Sequence, residues 1–460
     1  MGRQITRLQV SGYRFTMRRL EHALVRGDVR MLDDPIRAQS ISLMTGCVLA
    51  VIAIAVCGVL AVLRPQGAPG DAPILRARES GAYYVRIGDT VHPVPDLVSA
   101  RLIVGSAADP KTVAAAAIEK MPRGPRAGIV GAPATVGAPL AAAQTEWTVC
   151  DTASATTLLI GPPAGPAAGE DAALLVTARS EGPATTFLMY GGRRAAVDLR
   201  DTAVVRALRL DTVAPHPVSR ALLDTVPESP PIIAPPIAGA GRPGALPGRP
   251  VGTIIGVRRG GGVEHYVVLA GGLQRVGEVT ADLIRFTVAQ PHADVPDVQP
   301  DVLAGADIVD SLPVASYPDR VDVADAEVPC VRWAARDGRV GAALVDGRQT
   351  LAAPGTVALA QADGAGPNVD AVRVPAGHSV YLRPVSATGA GGGAESRMLL
   401  TDSGVLYAVP DDATARSLGI DDGPMPGPWP VLARLPRGPE LSRESASVVR
   451  DAVPAARPAG

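Results

Sequence analysis

The chain has little of what most enzymes place at a catalytic centre. Among 460 residues there are four cysteines and six histidines. No Cys-x-x-Cys pair and no His-Glu-x-x-His stretch occurs, so a zinc site is not expected. Only two lysines are present, Lys111 and Lys120. Neither follows the glycine-rich loop whose backbone amides cradle phosphates in a Walker-type site. A Gly-x-Ser-x-Gly nucleophile elbow is also missing. Gly239, Gly241 and Gly244 satisfy Gly-x-Gly-x-x-Gly, but Pro243 and its neighbouring prolines forbid the strand-to-helix turn of a dinucleotide site. The glycines at 260–262 and 389–393 read as turns. A formal net charge of -1 supplies no overall field to attract nucleic acid. No cofactor, metal or nucleic-acid partner is expected.

What is present is strongly asymmetric. From Met1 to Arg37 eight arginines face four acids, and the charge then vanishes: Ala38 to Leu63 are 26 uncharged residues. About 20 apolar residues cross a hydrocarbon core of roughly 30 Å. The segment is too long for the apolar region of a cleaved signal peptide and shows no polar face. It is read as a transmembrane helix over 38–63. The arginine-rich flank keeps the N-terminus cytoplasmic and sends everything after Leu63 outside.

Ahead of the span, Ser11 to Met31 carries Met17, Leu20, Leu24 and Met31 at helical spacing and ends before Asp33, Asp34 and Pro35. This predicts a basic amphipathic helix within a cytoplasmic segment, 1–37. Its apolar stripe suits partner subunits, and Arg14, Arg18, Arg26 and Arg30 suit lipid phosphates or acidic partner residues. Met17, Leu20, Leu24 and these four arginines are the candidate partner and membrane contacts.

Cys47 and Cys57 lie in the span, which leaves Cys150 and Cys330 in the exported part. An oxidising compartment lets two such thiols pair, and only one pairing is possible. One long-range disulfide is expected. Trp147 stands three residues before Cys150 and Trp333 three after Cys330. Large rings beside a disulfide mark a core, here built from one segment of each half of the chain.

Around that centre a hairpin followed by a capped helix recurs from Tyr83, Phe187, Tyr266 and Met398, at no fixed period. The expected fold is an N-terminal amphipathic helix, a single transmembrane helix, and an elongated, β-rich α+β ectodomain of four small ββα-like repeat modules around a central domain. The modules are placed at 72–120, 186–226, 251–295 and 396–445. The central domain takes 121–185 and 296–395, and a proline-rich linker takes 227–250. A helix is expected over 440–453, with 446–460 forming a disordered tail.

Several longer strings then narrow the reading. Thr6-Arg7-Leu8-Gln9-Val10-Ser11-Gly12-Tyr13-Arg14-Phe15, Arg18-Arg19, Glu21-His22-Ala23-Leu24-Val25-Arg26 and Asp34-Pro35 precede the span. Further along come Pro122-Arg123-Gly124, Gly131-Ala132-Pro133, Trp147-Thr148-Val149-Cys150-Asp151 and the run from Leu435 to Arg443. Together they resemble the EccB family, membrane components of actinobacterial and mycobacterial type VII (ESX) secretion systems. Val130 stands where that family usually has proline.

The resemblance implies an inner-membrane, single-pass subunit with a periplasmic ectodomain, oligomeric within its complex. Its implied partners are an FtsK/SpoIIIE-type motor ATPase, a multispanning membrane subunit, the remaining core subunit and a mycosin protease. It also implies an alternative, periplasmic ATP hydrolysis with bound ATP, for which these residues offer no recognisable site. A third reading, weaker than both, is a cell-wall-binding anchor.

Overall fold

The computed structural model describes residues 6–27, 35–63, 69–162, 165–179, 184–287, 295–336, 339–352, 354–390 and 396–451. It divides into two compact units, Met1–Gly70 and Asp71–Gly460.

In the first unit, helix α1 covers Arg7–Arg26 and helix α2 covers Pro35–Leu63. The first helix begins earlier than Ser11 and stops before Met31, for reasons visible at its ends. The Gln9 side chain accepts the Thr6 backbone N–H at 3.2 Å, which secures the N-terminus. Gly27 adopts φ 67° and donates its N–H to Ala23 O at 2.8 Å, which closes the last turn. Arg30 and Met31 lie outside the described residues. Pro35 opens α2 at a position where its missing N–H costs nothing. Within α2, Ser40–Val59 is the only stretch among the described residues long and apolar enough to span a membrane.

The second unit is β-rich with short helices, and four of its sheets share one connectivity. In the first, Ile74–Ala77, Tyr83–Ile87 and Thr90–Val94 form an antiparallel meander. Helix Leu97–Val104 follows, capped by Asp96, and Lys111–Val113 returns parallel to the first strand. The second sheet repeats this order with Ala172–Ala178, Thr186–Tyr190, Arg193–Ala196, helix Thr202–Ala207 and His216–Val218. The third uses Ile254–Arg259, Gly262–Val268, Leu273–Val276, helix Glu278–Thr287 and Asp297–Val298. The fourth uses His378–Val385, Arg397–Thr401, Leu406–Val409, helix Asp412–Ser417 and Met425–Pro428.

After each fourth strand a short helix leads the chain back beside the third strand. The pairs formed there are Val91 with Arg123, Arg194 with Glu228, Leu273 with Ile308, and Leu406 with Arg437. In the first and fourth sheets this return is the Pro-Arg-Gly-Pro string. A Cβ on Gly124 would run into the His92 ring and one on Gly438 into the Tyr407 ring, so any larger residue would have to displace those rings.

The connectivity these four sheets share is larger than the expected ββα: a strand precedes the hairpin and another follows the helix. The second and fourth sheets start at Ala172 and His378, inside the stretches assigned above to the central domain. The third sheet ends at Val298, beyond residue 295. The added closing strands are two to four residues long and two contain proline, a residue normally confined to strand edges.

Two further expectations are corrected. The stretch 227–250 is extended but tied down: Ile232 is fully buried and donates its N–H to Ala196 O at 3.0 Å. The helix expected over 440–453 is reduced to Arg443–Ala446, capped by Ser442. Val449–Arg450 then pair as a strand with Arg126–Ala127, so the segment placed in the disordered tail is ordered there. Residues 452–460 lie outside the described residues.

The sheets pack in pairs. Helices Leu97–Val104 and Asp412–Ser417 join the first and fourth sheets in one core, through Val98, Leu102, Leu399, Tyr407 and Leu418. Helices Thr202–Ala207 and Glu278–Thr287 do the same for the second and third, through Val204, Leu208, Val279 and Leu283.

Candidate assembly surfaces and the central disulfide

A fifth, six-stranded sheet shares one core with the second and fourth and has the strand order Arg339–Asp346, Pro329–Arg336, Glu146–Thr152, Ala155–Gly161, Ala371–Arg373, Val357–Ala358. It holds one hairpin from each half of the chain. The hairpins meet where Pro329–Arg336 runs antiparallel to Glu146–Thr152, with Cys330 opposite Cys150 and Trp333 opposite Trp147. The two cysteines form a disulfide across a Cα separation of 4.1 Å. That spacing belongs to a pair facing directly across two strands.

An offset of three residues puts the tryptophans on the opposite face of the sheet. The disulfide packs with Leu159 and Val345. Trp147 and Trp333, 1% and 0% exposed, join Val149, Leu158, Leu222, Leu382 and Leu432 in the largest core. The Trp333 indole N–H donates to Ala387 O at 3.1 Å.

Charged groups close this centre. Buried Asp151 accepts the Ser219 N–H at 2.5 Å and the Thr156 hydroxyl at 2.8 Å, and stands 3.7 Å from Arg179. Burial pushes its carboxyl above the ordinary value, against the pull of those partners. Ser219 in turn caps helix Arg220–Thr225, so Asp151 ties the second sheet's returning helix to the central strands. Glu146 is ion-paired across the strands to both Arg332 and Arg336. Sequence reasoning missed both networks. Their only signal was acidic residues beside the tryptophan and cysteine of one strand.

Among the described clefts, the one richest in arginine has its cations already paired. A cleft of about 610 Å³ is lined by Arg259, Arg275 and Arg320. Its arginines are occupied: Arg259 and Arg275 by Glu264, and Arg320 by Glu278. No group of three His, Cys, Asp or Glu side chains suited to a metal occurs among the described residues.

On α1 the stripe named from sequence is exposed, with Met17 at 45%, Leu20 at 55% and Leu24 at 81%. Arg14 and Arg18 are exposed beside it. Arg26 ends the helix, and its side chain, like all of Arg30, lies outside the described residues.

Compared with known proteins, residues 3–455 match the family model described as "Type VII secretion system ESX-1, transport TM domain B". This chain belongs to the EccB family. A Mycolicibacterium smegmatis relative named ESX-3 secretion system ATPase EccB3 is 36% identical over 98% of this chain and 91% of its own. A Mycobacterium tuberculosis relative named ESX-2 secretion system ATPase EccB2 is 37% identical over 97% of this chain and 95% of its own.

Among solved structures, a chain of an intact ESX-5 inner membrane complex superposes with TM-score 0.72 at 30% identity, covering 100% of this chain and 98% of that one. An EccB3 dimer from the ESX-3 core complex gives TM-score 0.70 at 32% identity, covering 82% of this chain and all of the other. The match to the ESX-5 chain covers both the apolar helix and the β-rich unit of this EccB chain.

Proposed function

We propose that this chain is a single-span structural subunit of a type VII secretion inner-membrane complex, with its N-terminus cytoplasmic and its ectodomain periplasmic. The observation that carries this reading is the whole-length likeness to a chain of an intact inner membrane complex, together with a helix α1 that leaves Met17, Leu20 and Leu24 uncovered. The four sheets of one connectivity act as repeat modules, and the disulfide-closed sheet is the central domain that holds the two halves together. Helix α1 docks on other core subunits: the motor ATPase, the multispanning subunit and the remaining core subunit at the membrane, with the mycosin protease outside. Arg14, Arg18, Arg26 and Arg30 meet lipid phosphates or acidic partner residues. Purifying the tagged chain in mild detergent and identifying what co-elutes tests this. Core secretion subunits in the eluate support it, and a chain that elutes alone contradicts it.

The relatives' printed names favour a second reading, ATP hydrolysis. The arginines of the most charged cleft are already paired to carboxylates, which weighs against a phosphate cradle there. Turnover of ATP by the purified full chain near the roughly 1 per second low end of ordinary enzymes, lost on a point change in this chain, would establish it.

A further inference from the structure

The ribbon of Arg126–Ala127 and Val449–Arg450 is separate from the five larger sheets. Its register sets Arg450 directly opposite Arg126, and like charges at such a position destabilise a strand pair. Neither arginine has an ion-pair partner among the described residues. Arg450 Nη1 donates to Gly128 O at 2.7 Å, and Arg126 is exposed. Asp96, 6% exposed, accepts the Ser99 N–H at 2.6 Å as a helix cap and feels Arg126 only at longer range. Glu444 and Asp451, on the same C-terminal segment, are exposed and pair with neither arginine.

Apolar surface adjoins these two guanidinium groups, and Asp96 lines the same cleft. Val130, Val448 and Val449 are 47%, 42% and 54% exposed. Val130, Val448, Arg126 and Arg450 line one cleft of about 340 Å³. Val449–Arg450 has no second ladder partner among the described strands, so the backbone N–H and C=O on its outer side face no other described strand.

We propose that this ribbon is the docking edge for an acidic, extended segment of a partner subunit. The segment adds as a strand beside Val449–Arg450, covers the valines and sets a carboxylate between the two guanidinium groups. Main-chain pairing supplies affinity in such an arrangement, while the charged contact and alternate side chains supply specificity. The proposal rests on the reading of the chain as an assembly subunit.

The test titrates the detergent-solubilised full chain into a fluorescein-labelled Val-Asp-Val-Glu-Val-Asp peptide and follows anisotropy, with Val-Lys-Val-Lys-Val-Lys as control. Saturable binding of the acidic peptide alone is expected. Arg126→Glu should weaken it at least about tenfold and shift preference to the lysine peptide. Val448→Asp should weaken it by a similar factor, and because Val448 lies outside both strands this variant keeps the test valid if Arg126→Glu fails to fold. Equal binding by wild type and both variants, or no saturable binding, overturns the proposal. So does binding to phosphatidylglycerol vesicles that is lost in Arg126→Glu while the peptide is ignored, since that assigns the ribbon to lipid. Failed peptide binding with core subunits still co-eluting overturns the docking edge alone. A chain that elutes without any of them overturns the reading beneath it.

Discussion

The two units of this chain treat apolar side chains in opposite ways. In Asp71–Gly460, Leu75, Val85, Leu188, Leu222, Trp333 and Leu382 are each fully buried. In Met1–Gly70, Leu8, Tyr13, Leu20, Leu24 and Val25 on α1 are 55–85% exposed, and Leu43, Met44 and Ile54 on α2 are 71–72% exposed. Burial of apolar area is the main favourable term in folding, so the second unit closes its own core. On the proposed reading, lipid and partner surface cover the first. On the proposed reading that contrast is what an assembly subunit needs: a part that carries its own core, and a part that its complex completes.

The largest test of the self-sufficient part is its disulfide. The bond joins residues 180 apart, and on the chain-entropy model closing such a loop stabilises by roughly 5 kcal/mol. Replacing both Cys150 and Cys330 by alanine should therefore lower the urea midpoint of the ectodomain transition sharply, without releasing α2 from the membrane. An unchanged midpoint would mean that the two hairpins hold together without the bond.

The tryptophan pair on the opposite face comes next. Trp147→Ala should cost about 3–5 kcal/mol, the range for emptying a large buried site. The same readout checks it, and a cost below about 1 kcal/mol would show that the surrounding core collapses to fill the gap.

How much of this was legible in the sequence depends on strand length and side-chain type. The span announced itself as an unbroken uncharged run. Cys150, Cys330, Trp147 and Trp333 pointed to a centre shared by both halves, because so few large or sulfur-bearing residues compete for that role in the exported part. The hairpins around Gly88, Gly192, Gly271 and Gly404 carried turn signals. The strands that complete each sheet did not, since segments such as Asp297–Val298 or Met425–Pro428 are too short or too proline-rich to show alternation. Helix α1 lies earlier than its apolar spacing suggests, because that spacing runs on to Met31 while Thr6 and Gln9 start the helix and Gly27 ends it. The Arg126–Arg450 ribbon was invisible because its strands lie at opposite ends of the ectodomain sequence.

A smaller effect sharpens the contrast at one module. Arg397 and Tyr381 both hydrogen-bond Asp412 and hold its carboxyl below the ordinary value of 3.8. A lowered folded-state pKa contributes stability that is present above 3.8 and is lost as pH falls through the folded value. Asp412→Asn should flatten that acid-side loss in melting temperature while leaving detergent extraction unchanged. A variant with the same acid-side slope as wild type would remove Asp412 from the account.

The most direct test changes only what the account says is unfinished. With Leu20 and Leu24 both replaced by Asp, the chain should still insert in the membrane, and its ectodomain should still form the Cys150–Cys330 bond and unfold at the wild-type midpoint. Co-purification of the motor and multispanning subunits should be lost. An intact complex recovered with the doubly substituted chain would show that α1 is only a flank of the membrane anchor, and would contradict the central claim.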